Sequence, residues 1–301
     1  PPPRALQPDV TLTPIAAQSR TAGPFTLLGA WELAGDRLRF GGISALVALP
    51  DGRFLAGSDT GRKLEFHRPD RGRRTGLFSA FEPSETSYKM GRDLESLAVD
   101  PETGTVWAGY EYREAIVRLD AAFRPDKEVR PALMADWGSN SGVESLVRLA
   151  DGRFLAIEER SRRWRGSRHM AVLFSGDPVE DDNPQSLVVD IPSGYRPVDA
   201  APVGKGRALV LLRRLDWGIP LGFETAIAEL DVDAPDDDGI VTARLLAELG
   251  KTIPRDNYEG LTLTEDADGQ HVWLISDDNF MSFQRTLLLK LRWQTREKAR
   301  E

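Results

Sequence analysis

Three glutamates occupy the same place in three similar segments of the sequence. Glu95 lies in "DLESLAV", Glu144 in "GVESLVR" and Glu259 in "DNYEGLTL", each at the start of an apolar stretch typical of a buried strand. A carboxylate there loses hydration, so it needs a partner that neutralises its charge. If the fold brings the three together, oxygen ligands without cysteine or clustered histidine favour Ca²⁺ over Zn²⁺ or copper. We therefore predict a Ca²⁺ site at these three residues.

A second set of acidic residues follows the next apolar stretch of each segment. Glu111, Glu159 and Asp278 stand where that stretch ends in polar residues. Neighbouring carboxylates raise the pKa of such groups, which suits a carboxylate to taking a proton from water. We predict that one of these three acts as the general base of a hydrolytic reaction.

Basic residues are placed close to both sets of acids. A guanidinium group binds a phosphate or carboxylate through two parallel hydrogen bonds, so these arginines could hold an anionic ligand. The alternative is that they pair with the acids, which would then need no metal ion. The arginines predicted to contact substrate are Arg92, Arg113, Arg160 and Arg213.

Five segments with one common pattern must position these residues. Each has a short apolar stretch, a turn built on Asp, Gly or Pro, and a second apolar stretch that ends in polar residues. Turns such as "PDG", "PETG" and "ADG" supply glycine where a hairpin requires positive φ. The segments span residues 41–59, 93–111, 142–160, 197–214 and 258–279.

The distance between successive copies, about 50 to 60 residues, is typical of a four-stranded propeller blade. We predict an all-β protein folded as a β-propeller. A sixth blade would join "FTLLGAWEL" (25–33) to "RTLLLKLRW" (285–293), so that N- and C-terminal strands close the ring and leave no exposed sheet edge. Six blades are the favoured number, with five or seven as alternatives.

In a propeller, the start of the first strand and the end of the second lie at the same mouth of the central channel. Both sets of polar residues should therefore meet near the axis. The predicted strand-start positions are Ser44, Glu95, Glu144, Asp199 or its neighbour, and Glu259. The predicted strand-end positions are Asp59, Glu111, Glu159, Arg213 and Asp278.

Composition restricts the class of protein. The chain has 301 residues, 41% hydrophobic and 29% charged, which fits a folded protein with a substantial core. Its net charge of −8 argues against a nucleic-acid binder. No apolar run is long enough to span a membrane, and the absence of cysteine excludes disulfides and thiolate metal sites.

The predicted domain organisation is a Pro-rich N-terminal lead over 1–24 and a single propeller over 25–301. The opening "PPPRALQPDVTLTP" is typical of what remains after removal of a signal peptide or after trimming of the chain. This favours a bacterial protein that is periplasmic or secreted, and we expect a monomer.

The repeated residues resemble a bacterial family described as phytase-like, with "esterase-like activity of phytase". The resemblance rests on "GGISAL", "DLESLAVDPETGTVW" and "GVESL", and on "RDNYEGLTL" paired with "LISDDNF" near the C-terminus. It implies an exported β-propeller acting on phosphate or other esters, and it adds Tyr258 to the predicted substrate contacts. The motif positions that it transfers are Glu95, Glu144, Tyr258, Glu259, Asp277, Asp278 and Asn279.

Two functions follow from these observations. The first is a calcium-dependent hydrolase for a small anionic ester, either a phosphate ester or a carboxylic ester or lactone. Ca²⁺ would polarise the substrate and activate water at the mouth of the channel. The second is a propeller without catalytic activity that binds a ligand or protein partner at the same mouth, with a structural Ca²⁺. The sequence offers no nucleophile elbow, which keeps the second open.

Overall fold

The computed structural model describes residues 9–36, 40–81, 93–137, 142–161, 166–218, 222–250, 252–278 and 285–295. Over these ranges the chain is built from strands β1 to β23 and two short 3-10 helices, Pro69–Arg71 and Ala132–Met134. The strands group into four sheets, and the largest, of ten strands, contains two blades that β1 joins edge to edge, so that five blades surround a central channel. No helix in these ranges is long and apolar enough to cross a membrane.

The first three blades follow the chain in order. Blade 1 consists of β4 (Ile43–Ala48), β5 (Arg53–Ser58), β6 (Arg62–His67) and β7 (Thr75–Ala80). Blade 2 consists of β8 (Leu94–Val99), β9 (Val106–Tyr110), β10 (Ala115–Leu119) and β11 (Pro125–Val129). Blade 3 consists of β12 (Val143–Arg148), β13 (Phe154–Ser161), β14 (Arg168–Phe174) and β15 (Gln185–Asp190), with β19 (Ile240–Thr242) added at its outer edge.

The last two blades use strands that are distant in sequence. Blade 4 consists of β16 (Arg196–Gly204), β17 (Arg207–Asp216), β18 (Gly222–Asp231) and β20 (Arg244–Glu248). Blade 5 consists of β21 (Tyr258–Asp266), β22 (Gly269–Ser276), β23 (Thr286–Trp293) and the N-terminal β3 (Phe25–Ala34). The first strand of each blade is its inner strand. Each inner strand packs against the next, and β21 packs against β4 to close the ring.

The predicted propeller, closed by N- and C-terminal strands, is confirmed. The predicted number of six blades is not confirmed, because the described strands form five blades. The terminal segments expected to make a sixth blade instead complete the fifth, where β23 pairs with both β22 and β3. Within the predicted N-terminal lead, β1 (Val10–Pro14) pairs with β3 and β7, and β2 (Thr21–Ala22) pairs with β3.

The turn glycines have the positive φ angles that the sequence predicted. Each hairpin between an inner strand and the second strand contains a glycine with positive φ, between 64° and 114°. These glycines are Gly52, Gly104, Gly152, Gly206 and Gly269. A residue with a Cβ is strained in this conformation, so the repeated glycine fixes the length and register of each hairpin.

The core lies between neighbouring blades. Apolar side chains of adjacent sheets interlock there, and each of the five inner strands contributes to it. Where blades 5 and 1 meet, Trp273 stacks on Trp31 and packs edge-on against Phe54. This packing makes the channel wall rigid, and side chains that project into the channel are held by a fixed backbone.

Candidate functional site

Each inner strand carries a β-bulge at the same place, near the mouth of the channel. The register of pairing with the second strand shifts by one residue at every one of these positions. A bulge leaves one residue unpaired and re-aims its side chain. The five bulged residues are Ser44, Glu95, Glu144, Val198 and Glu259. The three glutamates predicted from the sequence are therefore structurally equivalent.

In the fourth blade the bulged residue is Val198, and Asp199 lies one step further along the strand. Asp199 is 0% exposed, and its carboxylate accepts hydrogen bonds from the backbone N–H groups of Ala200 at 2.8 Å and Leu261 at 2.6 Å. Leu261 belongs to blade 5, so Asp199 ties the two blades together. It is a structural residue and does not join the ring of acids at the mouth.

We expect Asp199→Asn to lower the free energy of unfolding by about 1–3 kcal/mol. Asparagine replaces one carboxylate oxygen with an NH₂ group, so a buried N–H loses its acceptor. Urea unfolding followed by tryptophan fluorescence measures the change. The control is Asp237→Asn, an exposed acid, for which a change within about 0.5 kcal/mol is expected. An equally small change in Asp199→Asn would contradict the structural role.

A second ring of polar residues lies beside the bulges, on each second strand one residue beyond the partner of the residue that precedes the bulge. The backbone N–H groups of Asp59, Glu111 and Asp277 donate to carbonyls that precede the inner strands, at 2.8 to 2.9 Å. The ring consists of Asp59, Glu111, Glu159, Arg213 and Asp277. Four of these five were predicted from the sequence. In blade 5 the equivalent residue is Asp277, and the predicted Asp278 instead accepts a hydrogen bond from the Gly42 N–H at 3.3 Å.

The two rings enclose a cavity of about 250 Å³ at the channel mouth. This volume lies just below the usual range of small-molecule pockets. Most of its lining is charged or polar, and it comprises Gly42, Ser44, Asp59, Glu95, Glu144, Glu159, Arg213, Glu259 and Asp277. All three glutamates predicted as metal ligands thus face one cavity.

An acidic group of blade 2 adjoins the cavity through Glu95, which is part of the lining. One oxygen atom from each of Asp93, Glu95 and Glu111 lies within 4.8 Å of the others, a spacing that a single metal ion could bridge. Loss of hydration raises the pKa of Glu95 well above its ordinary value, and Glu144, Asp93, Glu111 and Asp59 raise it further. A cation at this point would relieve both effects.

Glu144 belongs to the inner strand of blade 3 and lies near this acidic group. Burial raises its pKa well above the ordinary value, and the neighbouring Glu159 adds to the rise, while Arg213 opposes it. A glutamate whose pKa is raised in this way exchanges its proton nearer to neutral pH than an exposed one. Glu144 is therefore suited to proton transfer.

The basic side of the cavity comes from blade 4. Arg213 occupies the ring position that carries an acid in the other four blades, and it donates hydrogen bonds to Glu259 and to Asn257 Oδ1 at 3.0 Å. It also reaches Glu159 Oε1 at 3.4 Å, and Phe223 packs against its guanidinium group at 5.2 Å. Glu259 is thus neutralised by an arginine, which separates it from the acidic group around Glu95.

Arg196 extends the basic side towards solvent. Its guanidinium donates to Glu159 Oε2 at 3.0 Å, and its side chain is 57% exposed. Glu159 therefore accepts from two arginines. Both of its carboxylate oxygens are already occupied by arginine N–H groups, so Glu159 is less suited to the predicted base role than Glu144. Glu111, another predicted base, belongs to the group that a metal could bridge.

Several predicted substrate contacts lie away from the cavity. Tyr258 is buried in the core, and its hydroxyl donates to the Pro254 carbonyl at 2.7 Å, so it does not face a ligand. Arg113 stacks over the Tyr110 ring at 4.7 Å and donates to Glu128 at 3.2 Å. Arg160 is exposed on β13, next to Glu159. Arg92 lies outside the described residues.

Asp93 and Arg196 are site residues that the sequence did not single out, and Asp277 was named only as a motif position of the family resemblance. Asp93 stands two residues before Glu95, a spacing that often places both side chains on one face of a strand. That signal was available in "DLESL". Asp277 and Asp278 are adjacent in "SDDN", and only the pairing of β21 with β22 decides which of them points into the cavity.

A second group of possible metal ligands lies at the opposite end of β21. Asp266, Asp268 and His271 are close enough to share an ion. Arg68 donates to both oxygens of Asp266 at 2.8 and 2.6 Å, and Arg71 and Lys290 lie within 2.8 and 3.5 Å of the same carboxylate. Three cations around one carboxylate disfavour a further cation, so we interpret this group as a salt-bridge network.

Comparisons with known proteins agree with the sequence patterns. A family model described as "Phytase-like: Esterase-like activity of phytase" matches residues 38–280. No curated protein sequence matches the chain at a significant level.

Solved structures are similar at low sequence identity. An exo-β-1,3-galactanase from Clostridium thermocellum has a TM-score of 0.47 and 12% identity, covering 91% of this chain and 74% of its own. The PQQ-bound aldose sugar dehydrogenase from Streptomyces coelicolor has a TM-score of 0.43 and 12% identity, covering 95% and 100%. The WD40 repeats of RRP9 have a TM-score of 0.44 and 9% identity, covering 91% and 99%.

Proposed function

Because the chain belongs to the phytase-like family, we propose that it is a metal-assisted hydrolase of phosphate esters that acts in the cavity at the channel mouth. The observation that carries the proposal is the division of this cavity into two sides. Glu95 lines one side and forms an acidic group with Asp93 and Glu111 behind it, and Arg213 lines another side. A phosphate ester needs both a cation and hydrogen-bond donors around its oxygens.

The metal ion in this proposal is Ca²⁺, held by Asp93, Glu95 and Glu111. Carboxylate oxygens without nitrogen or sulfur ligands fit the preference of this ion, and the raised pKa of Glu95 supports a cation at this place. When bound, the ion would supply Lewis-acid polarisation of a phosphoryl oxygen. Glu259, which the sequence suggested as a ligand, serves instead to orient Arg213.

Arg213 binds the phosphate group in this proposal. A guanidinium group has five N–H donors, so Arg213 can contact Glu159, Glu259 and a phosphate oxygen at the same time. Phe223 and the two glutamates hold it in place before substrate arrives. Arg196, at the more exposed end of the same ion-pair group, attracts the anion towards the cavity.

Glu144 is the proposed general base. As the oxygen of a water molecule bonds to phosphorus, Glu144 takes a proton from that water. The bond between phosphorus and the alcohol oxygen breaks, the departing alkoxide takes a proton from solvent water, and Glu144 then releases its own proton to solvent. The raised pKa of Glu144 supports this role, because a carboxylate with a higher pKa is a stronger base.

The size of the cavity restricts the substrate. A volume of about 250 Å³ with a mainly polar lining suits the phosphate group and the first atoms of its alcohol. The rest of a larger substrate would stay outside the mouth. Calcium sites of extracellular modules have dissociation constants of about 10⁻⁴ to 10⁻³ M, so a periplasmic or secreted location suits this proposal.

Turnover on a panel of phosphate monoesters, carboxylic esters and lactones, with Ca²⁺ and with EDTA, tests the proposal. We expect Ca²⁺-dependent release of phosphate, and loss of release in EDTA that added Ca²⁺ restores. The metal itself is tested by titration calorimetry with Ca²⁺ alone, in the wild type and in Glu95→Gln.

One observation favours a second function, a propeller that binds a ligand without turnover. Ser44 carries the one hydroxyl group among the described residues that line the cavity, and its Oγ is committed to the Leu94 carbonyl at 2.5 Å. The described residues that line the cavity therefore offer no free hydroxyl nucleophile. A rise in melting temperature with Ca²⁺, without turnover of any ester on the panel, would decide for this second function.

A further inference from the structure

Strand β13, which carries Glu159, pairs irregularly with its neighbour β14 around this residue. Residues 154–157 of β13 pair with residues 171–174 of β14 in regular order. The next pair joins Ser161 to His169, so three residues of β13 stand opposite the single residue Met170. Glu159 is the middle one of these three. The regular backbone hydrogen bonds between β13 and β14 are therefore interrupted at Glu159, which lines the cavity.

His169 fills the interruption. Its side chain is 0% exposed, and its Nδ1 lies 3.0 Å from the carbonyl oxygen of Glu158. Because a carbonyl oxygen only accepts, Nδ1 must carry the proton and donate. Nε2 has no hydrogen-bond partner among the described residues. The hydrogen bond from Nδ1 to the Glu158 carbonyl is therefore the contact from which we argue its role.

The contact fixes the backbone immediately before Glu159. The Glu159 carboxylate then accepts from Arg196 at 3.0 Å and from Arg213 at 3.4 Å. Arg213 is held between this carboxylate and Glu259. A shift of the β13 backbone would displace the Glu159 carboxylate. The Arg213 guanidinium, which contacts that carboxylate, would then change its position as well.

We propose that His169 is a positioning residue, which holds Glu159 and through it Arg213 in the orientation that binds the anionic group of the substrate. The link from His169 to the position of Glu159 stands on the geometry alone. The link to substrate binding rests on the proposed function.

Two amide variants separate this role from simple filling of space. In His169→Asn the side-chain NH₂ can occupy the place of Nδ1 and still donate to the Glu158 carbonyl. In His169→Gln the NH₂ falls nearer the place of Nε2 and misses that carbonyl. We expect His169→Asn to retain the wild-type KM for a phosphate monoester, and His169→Gln to raise KM by up to about 10²-fold. The kcat should change less than KM.

Crystal structures of both variants provide a readout that needs no activity. The distance from Glu159 Oε1 to the Arg213 guanidinium should stay near 3.4 Å in His169→Asn and increase in His169→Gln. If Glu159 keeps its position in both variants, the proposal is overturned, as it also is if the two variants have the same KM. If the wild type hydrolyses no ester, the proposed function fails, and the crystallographic comparison still decides the role of His169.

Discussion

Replacing Glu144 with Gln is expected to lower kcat for phosphate-ester hydrolysis by about 10²- to 10⁴-fold. The amide has nearly the same shape as the carboxyl group but cannot take a proton from the attacking water. The fold should persist, because the substitution removes one of the carboxyl groups whose mutual repulsion raises the pKa of Glu95. Initial rates of phosphate release at saturating Ca²⁺ measure the effect.

The same variant distinguishes the base from the metal ligands. If Asp93, Glu95 and Glu111 hold the ion, Glu144→Gln should keep most of the Ca²⁺ affinity, whereas Glu95→Gln should lose affinity and turnover together. Glu102→Gln is the matched control, because Glu102 is exposed in the turn between β8 and β9, away from the mouth. Wild-type kcat in Glu144→Gln would exclude Glu144 as the base.

The second large effect concerns stability as a function of pH. Burial raises the pKa values of Glu95 and Glu144 above those of the unfolded chain, and neighbouring carboxylates add to the rise. The folded protein then binds more protons than the unfolded chain at any pH between the unfolded and the folded pKa values. The free energy of unfolding must fall as pH rises through this window. Below the ordinary glutamate pKa of about 4.3, both states are protonated and the penalty vanishes.

We therefore expect the melting temperature in EDTA to fall from about pH 5 to about pH 8, and excess Ca²⁺ to restore it most strongly at the higher pH. A ligand at 100 times its dissociation constant stabilises the folded state by about 2.7 kcal/mol. Asp266 does not alter this dependence of melting temperature on pH. Its ion pairs with Arg68 and Lys290 lower its pKa, so its contribution to the free energy of unfolding is lost only in the acid range. Differential scanning fluorimetry across pH, with EDTA and with Ca²⁺, gives the comparison.

Glu95→Gln provides the control for this experiment. Without the carboxylate, the decline of melting temperature with pH should become shallower in EDTA, and Ca²⁺ should no longer raise it. A wild-type melting temperature that is independent of Ca²⁺ at every pH would rule out the metal site. Heat of Ca²⁺ binding measured in buffers of different ionisation enthalpy should also reveal proton release, because a bound cation ionises the protonated carboxyl groups.

Much of the architecture could be predicted from local sequence. Turn glycines and alternating apolar stretches are properties of a few neighbouring residues, and their repetition along the chain was enough to predict a propeller. The place of Glu95, Glu144 and Glu259 at one mouth followed from the same repetition, since equivalent positions in successive blades lie at the same height along the channel. The number of blades did not follow, because β3 and β23 carry no signal that distinguishes a sixth sheet from the outer strands of the fifth.

What the sequence determined by itself is thus the repeat, its turns and the ring of acids at the channel mouth. The tertiary structure decided which residue of blades 4 and 5 occupies each ring position at the channel mouth and which side chains the ring residues contact. The bulges select Val198 over Asp199, and strand pairing selects Asp277 over Asp278. Arg213 reaches Glu259 across 46 positions of sequence, a contact that no local pattern indicates. The physical reason is that strand register and ion pairing depend on side chains brought together by the fold, whereas turn chemistry depends only on neighbours along the chain.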